Sequence, residues 1–124
     1  MNAPNTPLAA THLMANLLDC ACSRALLEDA LLLREHCIDQ VSEAGLAVVG
    51  DYFHQFEGGG VTGTVVLAES HLAIHTWPES NYVTLDVFVC NMSCDNRAKA
   101  RFLFDSLLAM LCPAEARSYQ IERI

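Results

Sequence analysis

Basic residues are scarce in this chain: seven Lys and Arg stand against fifteen Asp and Glu, a formal net charge of −8 at pH 7 with His neutral. A surface of that sign repels phosphate backbones and anionic lipids, so no nucleic acid and no membrane is expected as a partner, while a cationic small molecule would be drawn in. No apolar run approaches the roughly 18 residues of a membrane-spanning helix. Met1–Leu8 carries neither the basic start nor the apolar middle of an export signal, and a cytoplasmic protein is expected. Paired C-x-x-C knuckles are also missing. The six cysteines include Cys20-Ala21-Cys22 and the Cys90/Cys94 pair, spacings that do not build a zinc site, so no metal is expected. Without a sign of export they read as reduced thiols rather than a disulfide framework.

What is present is apolar. Of the 124 residues, 52% are hydrophobic and only 18% charged, enough for one domain with a sizeable core. So small and so apolar a chain is expected to bury part of its surface against another copy, as a homodimer.

Residues 1–10, with Pro4 and Pro7, read as a mobile tail, and residues 11–124 as a single domain. His12–Asp19 suits a first strand. Ser23 can cap a helix in which Leu27, Leu31, Ile38 and Val41 recur at helical multiples and which Gly45 ends. Leu46–Phe56 predicts a second strand, and Glu57-Gly58-Gly59-Gly60 a turn. Gly58–Gly63 satisfies G-x-G-x-x-G, but Thr64–Leu67 predicts a strand where a dinucleotide fingerprint needs a helix, so the match is spurious. These glycines fit either plain turn chemistry or a loop that lets backbone approach a processing site. In Tyr82–Cys90 strict alternation sends Val83, Leu85, Val87 and Val89 one way, and Thr84, Asp86 and Cys90 the other. Asp95 can cap a second helix to Leu111, with Phe102, Leu103, Ser106, Leu107 and Met110 facing the sheet, before Pro113 stops it and Arg117–Arg123 forms an edge strand. The order β-α-β-β-β-β-α-β predicts an α+β two-layer sandwich: a largely antiparallel sheet with two helices packed on one face.

Chemistry concentrates where the apolar run Val65-Val66-Leu67-Ala68 meets Glu69-Ser70-His71-Leu72-Ala73-Ile74-His75-Thr76-Trp77-Pro78-Glu79. A hydroxyl with an imidazole nearby can attack a carbonyl. Read alone, the same residues fit a capped strand end and a satisfied interior histidine at least as well. Alternation puts Ser70 and His75 on opposite faces, so for the two to meet the chain must bulge or turn between them. Cys90, on the mixed face of its strand, fits a small buried hydrophobe or a working thiol.

The run Glu69–Glu79 resembles the signature of the prokaryotic S-adenosylmethionine decarboxylase proenzymes, a pyruvoyl-dependent family, and Cys90 falls where that family has its catalytic cysteine. The likeness extends from about Thr11 to the C-terminus. It implies that Ser70 Oγ attacks the carbonyl of Glu69, cutting the chain between 69 and 70, and that Ser70 becomes a pyruvoyl group, the self-generated cofactor. His75 resembles the base that removes the Ser70 α-proton during processing. The ketone would take the substrate amine as a Schiff base, and Cys90 would return a proton to the substrate α-carbon. Phe56 and His75 fall where the family stacks the adenine of its small-molecule substrate, and Glu79 where a carboxylate accepts the ribose hydroxyls. Thr62 stands where the family usually has a processing serine, Ser80-Asn81 replaces a more usual aromatic-glycine pair, and the surroundings of Cys90 also depart from the common form. The resemblance therefore implies an S-adenosylmethionine decarboxylase feeding spermidine synthesis. A pyruvoyl-dependent decarboxylase of ornithine or arginine on the same scaffold, or an unprocessed regulatory homologue, are the alternatives.

Overall fold

The computed structural model describes residues 9–92 and 94–123. Of the tail expected over 1–10, the first eight residues lie outside the described residues, and Ala10 is already the first, buried residue of a strand. The elements are β1 (Ala10–Cys20), α1 (Arg24–Glu28), α2 (Ala30–Glu43), β2 (Val48–Gln55), β3 (Val61–Leu67), β4 (Ser70–Trp77), a 3-10 turn (Pro78–Ser80), β5 (Tyr82–Cys90), α3 (Arg97–Leu111) and β6 (Pro113–Arg123). The strands form one antiparallel sheet in the order β2-β3-β4-β5-β1-β6, and the helices cover one face, giving the α+β two-layer architecture read from the sequence.

The core lies between those helices and the alternating inward residues of the strands. Leu13 and Leu17 of β1, Leu72 and Ile74 of β4, and Leu85 and Val87 of β5 are fully buried against Leu33, Cys37 and Val41 of α2 and Leu103, Phe104 and Leu107 of α3. Burying each of the larger side chains contributes about 1.5–3 kcal/mol.

The first helix departs from its expected form. It breaks at Asp29, whose extended backbone separates α1 from α2 and whose carboxylate accepts from the N–H groups of Leu31 and Leu32 as an N-cap. The inward stripe then runs Ala30, Leu33, Cys37, Val41, and Leu31 points to solvent, 72% exposed. Gly45 ends α2 as expected, with φ +79°. In α3 the stripe is Ala100, Leu103, Phe104, Leu107 and Leu111, while Phe102 is half-exposed. Pro113 opens β6 instead of merely ending α3: at a strand's first position its missing N–H costs no ladder bond.

Among the described residues no helix covers the other face of the sheet. His12, Met14, His71, His75, Trp77, Asp86 and Phe88 alternate onto it, and Val66, Trp77, Tyr119 and Ile121 expose large apolar surface there.

Candidate active site

Ser70 opens β4 after the tight Ala68-Glu69 turn of the β3–β4 hairpin, where Leu67 pairs with Ser70. Its φ is +105°, a region that L-residues rarely adopt and that costs of order 1–3 kcal/mol unless the surroundings enforce it. The neighbouring strand enforces it. The Cys90 N–H donates to the Glu69 carbonyl oxygen at 3.2 Å, and Ser70 Oγ shares a hydrogen bond with Cys90 Sγ at 3.0 Å. The strained residue, the hydroxyl and the preceding carbonyl are thus all fixed by Cys90, and both Ser70 and Cys90 are only partly buried. A hydroxyl beside a carbonyl that already accepts a backbone N–H is a geometry suited to acyl shift, because the same N–H can stabilise the oxyanion.

His75 lies elsewhere. The register of β4 runs unbroken from Ser70 to Trp77 against both β3 and β5, so the expected bulge between Ser70 and His75 is absent and the distortion sits at Ser70 itself. Five strand residues separate their Cα atoms by about 16 Å. His75 Nδ1 instead shares a hydrogen bond of 3.0 Å with Thr62 Oγ1, directly across the β3–β4 pair.

That end of the sheet holds a cleft of about 360 Å³ lined by Phe56, Thr62, His75, Trp77, Glu79 and the glycine turn. Phe56 is half-exposed and packs edge-on against His54, ring centroids 4.6 Å apart. The turn needs its glycines: Gly58 and Gly59 have φ +94° and +107°, and a Cβ on Gly60 would meet the Thr76 carbonyl oxygen at 3.3 Å. The glycine loop therefore lines the His75 cleft, not the Ser70 hairpin. Val61–Leu67 follows it as a strand, which removes the dinucleotide reading.

One chain accordingly gathers Glu69, Ser70 and Cys90 at one end of β4, and Phe56, Thr62, His75 and Glu79 at the other. Two residues beside these clusters were not singled out from the sequence. Trp77 lines the cleft two residues beyond His75, on the same face, and alternation alone could have found it. Asn96, buried to 1% exposure beside Glu69 and Cys90, reads in sequence as an ordinary residue before a helix.

Among the described residues no disulfide joins any of the six cysteines. Burial pushes Cys37 up to about 12. It also pushes Cys20 up to about 11, with Cys22, Asp19 and Cys112 adding to the shift. These two are structural hydrophobes. No group of three or more His, Cys, Asp or Glu side chains suited to a metal ion occurs among the described residues, and none of their helices is long and apolar enough to cross a membrane.

The family model described as S-adenosylmethionine decarboxylase matches residues 11–123. Two S-adenosylmethionine decarboxylase proenzymes illustrate the likeness. That of Pseudomonas aeruginosa (strain PAO1) is 38% identical over 96 residues, covering 77% of this chain. That of Moorella thermoacetica is 37% identical over 112 residues, covering 90% of this chain and 85% of the relative. The matched segment spans only 59% of the Pseudomonas protein's length. Among solved structures, the adenosylmethionine decarboxylase of Aquifex aeolicus superposes with a TM-score of 0.83 at 30% identity, over 95% of this chain and 92% of that one.

Proposed function

Because this chain belongs to the S-adenosylmethionine decarboxylase family, we propose that it is a self-cleaving, pyruvoyl-dependent decarboxylase of S-adenosylmethionine that supplies an aminopropyl donor for spermidine synthesis in the cytoplasm. Ser70 carries this reading: it is a hydroxyl at φ +105°, with Cys90 Sγ 3.0 Å from its Oγ and the preceding carbonyl on the Cys90 N–H. Attack of Oγ on the Glu69 carbonyl carbon converts the peptide to an ester, with the amide nitrogen taking the hydroxyl proton, and relieves the unfavourable φ. His75 then removes the Ser70 α-proton, and elimination expels the Glu69 carboxylate. Hydrolysis of the resulting dehydroalanine releases ammonia and leaves the pyruvoyl group at the head of 70–124.

The residues present fit that group: its precursor hydroxyl is there, and a thiol in contact with it is placed to act next. The pyruvoyl ketone supplies the electron sink into which CO2 loss delivers its electron pair. Cys90 holds a proton for the substrate α-carbon, a role for the protonated thiol. Phe56 and Trp77 offer aromatic surfaces to the adenine and to a cationic sulfonium, and Glu79 accepts from the ribose hydroxyls. Thr62, bonded to His75, holds the imidazole.

The two half-sites require a second copy. With Ser70 and His75 about 16 Å apart along one strand, a catalytic set completes when the uncovered faces of two sheets pack with their β4 strands opposed. The exposed Val66, Trp77, Tyr119 and Ile121 on that face support a homodimer.

Mass spectrometry of purified protein, paired with CO2 release from S-adenosylmethionine, ornithine and arginine, tests this reading. Fragments 1–69 and 70–124 with a pyruvoyl terminus and turnover of S-adenosylmethionine are expected. An intact, inactive chain would overturn the enzyme, and turnover of a basic amino acid alone would overturn the substrate.

A further inference from the structure

Asn96 occupies the N-cap position of α3, where an asparagine ordinarily turns its side chain back to accept an N–H from the first helical turn. It does not do so here: its side chain makes no capping bond. Instead Nδ2 donates both its hydrogens away from the helix, to Glu69 Oε2 at 2.7 Å and to the Cys90 carbonyl oxygen at 2.9 Å. Cys94 Sγ donates to Oδ1 at 3.1 Å, and the Asn96 N–H donates to Asn91 Oδ1 at 2.8 Å. With two acceptors on one side and a thiol donor on the other, the orientation of the amide is determined. Asn96 itself is buried, at 1% exposure, and all four bonds are part-buried. A local preference set aside at a buried position signals that the side chain is needed elsewhere.

We infer that Asn96 is a positioning residue for self-cleavage, an inference that rests on the self-processing reading above. Its two donated bonds bracket the hydrogen bond from the Cys90 N–H to the Glu69 carbonyl: one bond holds the side chain of the residue being attacked, the other the carbonyl of the residue that donates. In the acyl shift the Ser70 Oγ–C bond forms as the π pair of the Glu69 carbonyl moves onto its oxygen. The pair returns as the C–N bond breaks, and the nitrogen takes the hydroxyl proton. The step is an isomerisation and needs no co-reactant. At its midpoint the oxygen carries a full negative charge, so the Cys90 N–H contributes most then, and only if the β3–β4 turn and the β5–α3 loop stay in register. Asn96 ties the two together. Asn91, whose backbone and side-chain N–H groups both donate to the Ala9 carbonyl, anchors that loop to the chain leading into β1.

The donor–acceptor polarity of the Asn96–Glu69 bond makes the inference separable from a general packing role. Asn96→Asp puts a carboxylate against the Glu69 carboxylate and the Cys90 carbonyl, acceptor against acceptor in both places. Adding Glu69→Gln restores the first bond in reverse, with the introduced glutamine amide donating to the introduced aspartate carboxylate. Asn96→Ala with Glu69→Gln has no such pairing. Conversion of the full chain into 1–69 and 70–124 would be followed by mass spectrometry after a short pulse of cell-free translation. Folding would be checked by circular dichroism on the same changes in an uncleavable Ser70→Ala background. Cleavage of N96D and of N96A should slow about ten- to a hundredfold, the scale of one or two charge-assisted bonds. N96D/E69Q should recover at least tenfold over N96A/E69Q. Equal rates in those two double variants, or N96D cleaving as fast as the unaltered chain, would overturn the positioning role, and the first comparison holds even where N96D alone misfolds. An unaltered chain that never cleaves would overturn the self-processing reading itself, and this inference with it.

Discussion

Ser70 Oγ and Cys90 Sγ are 3.0 Å apart although the β4–β5 register places Val89, not Cys90, opposite Ser70. The offset is possible because Ser70, at φ +105°, is not in strand conformation, so its side chain reaches the neighbour of its register partner. The unfavourable backbone and the contact are two aspects of one arrangement, and the proposed cut after Glu69 would remove both.

Ser70→Ala should therefore leave a single uncut chain without decarboxylase activity, because no hydroxyl remains to attack and no pyruvoyl group can form. A denaturing gel and a mass spectrum decide it. Efficient cleavage at 69–70 in this variant would sink the acyl-shift mechanism.

Cys90→Ala should lower turnover by roughly 100- to 10,000-fold, the usual cost of removing a general acid. The assay has to use fully cleaved protein, since the thiol also touches Ser70 before processing. The backbone N–H of residue 90 survives the change, so the bond to the Glu69 carbonyl is retained. Unchanged turnover would remove Cys90 from the catalytic set.

Glu79→Ala should cost about tenfold or more in kcat/KM toward S-adenosylmethionine. Two ribose hydroxyls lose a charged acceptor in a site closed by substrate, and each such bond contributes about 1.5–3 kcal/mol. Glu79 is an exposed residue of the cleft lining, so its carboxylate is accessible to a ligand. An equal effect on a substrate without a ribose would show that Glu79 acts as a general counter-charge.

Arg34 and Asp51 join α2 to β2 through two bonds, Nε to Oδ2 at 2.6 Å and Nη2 to Oδ1 at 3.0 Å. The guanidinium holds the Asp51 carboxyl below its ordinary value of 3.8. A depressed folded-state pKa contributes stability that is present above the unfolded value and lost as the pH falls through the folded one. Asp51→Asn should thus lower the Tm by a few degrees at pH 7, and the gap should close as the pH is taken down from about 4. Solvent screening of the half-exposed Arg34 keeps the effect small. A gap that persisted at pH 2 would assign the loss to packing.

Much of this was legible because the strands are half-buried and alternate cleanly: Val83, Leu85, Val87 and Val89 are buried, and the residues between them are not. The helices were harder. Leu31, Leu32 and Leu33 stand together, as do Phe102, Leu103 and Phe104, so several apolar stripes fit the same residues. Asp29 decided the first by breaking the helix and resetting its phase. Recognition of the Glu69–Glu79 run pointed to the residues proposed to react but not to their separation, since neighbours in a motif are distant when the motif is an extended strand. Asn96 was illegible because its partner Glu69 comes from the β3–β4 turn, which only the folded sheet brings beside the end of β5.

Separation along that strand gives the last prediction. If Ser70 of one chain is served by His75 of the other, defects in the two residues should complement between chains. Ser70→Ala and His75→Ala, each expressed alone, should remain unprocessed. Co-expressed with different tags, they form mixed dimers in which the His75→Ala chain contributes an intact Ser70 and the Ser70→Ala chain an intact His75. One complete site results, and the other lacks both groups. The tagged His75→Ala chain should then cleave and gain a pyruvoyl terminus, in a fraction that follows the proportion of mixed dimers, while the Ser70→Ala chain stays intact. Decarboxylase activity should appear only in the mixed preparation. A His75→Ala chain that remains whole beside its partner, in dimers shown by tandem-tag purification to be mixed, would mean that Ser70 and His75 do not act across the interface. Processing would then need a rearrangement of β4 to bring them together within one chain, against an unbroken ladder on both of its edges.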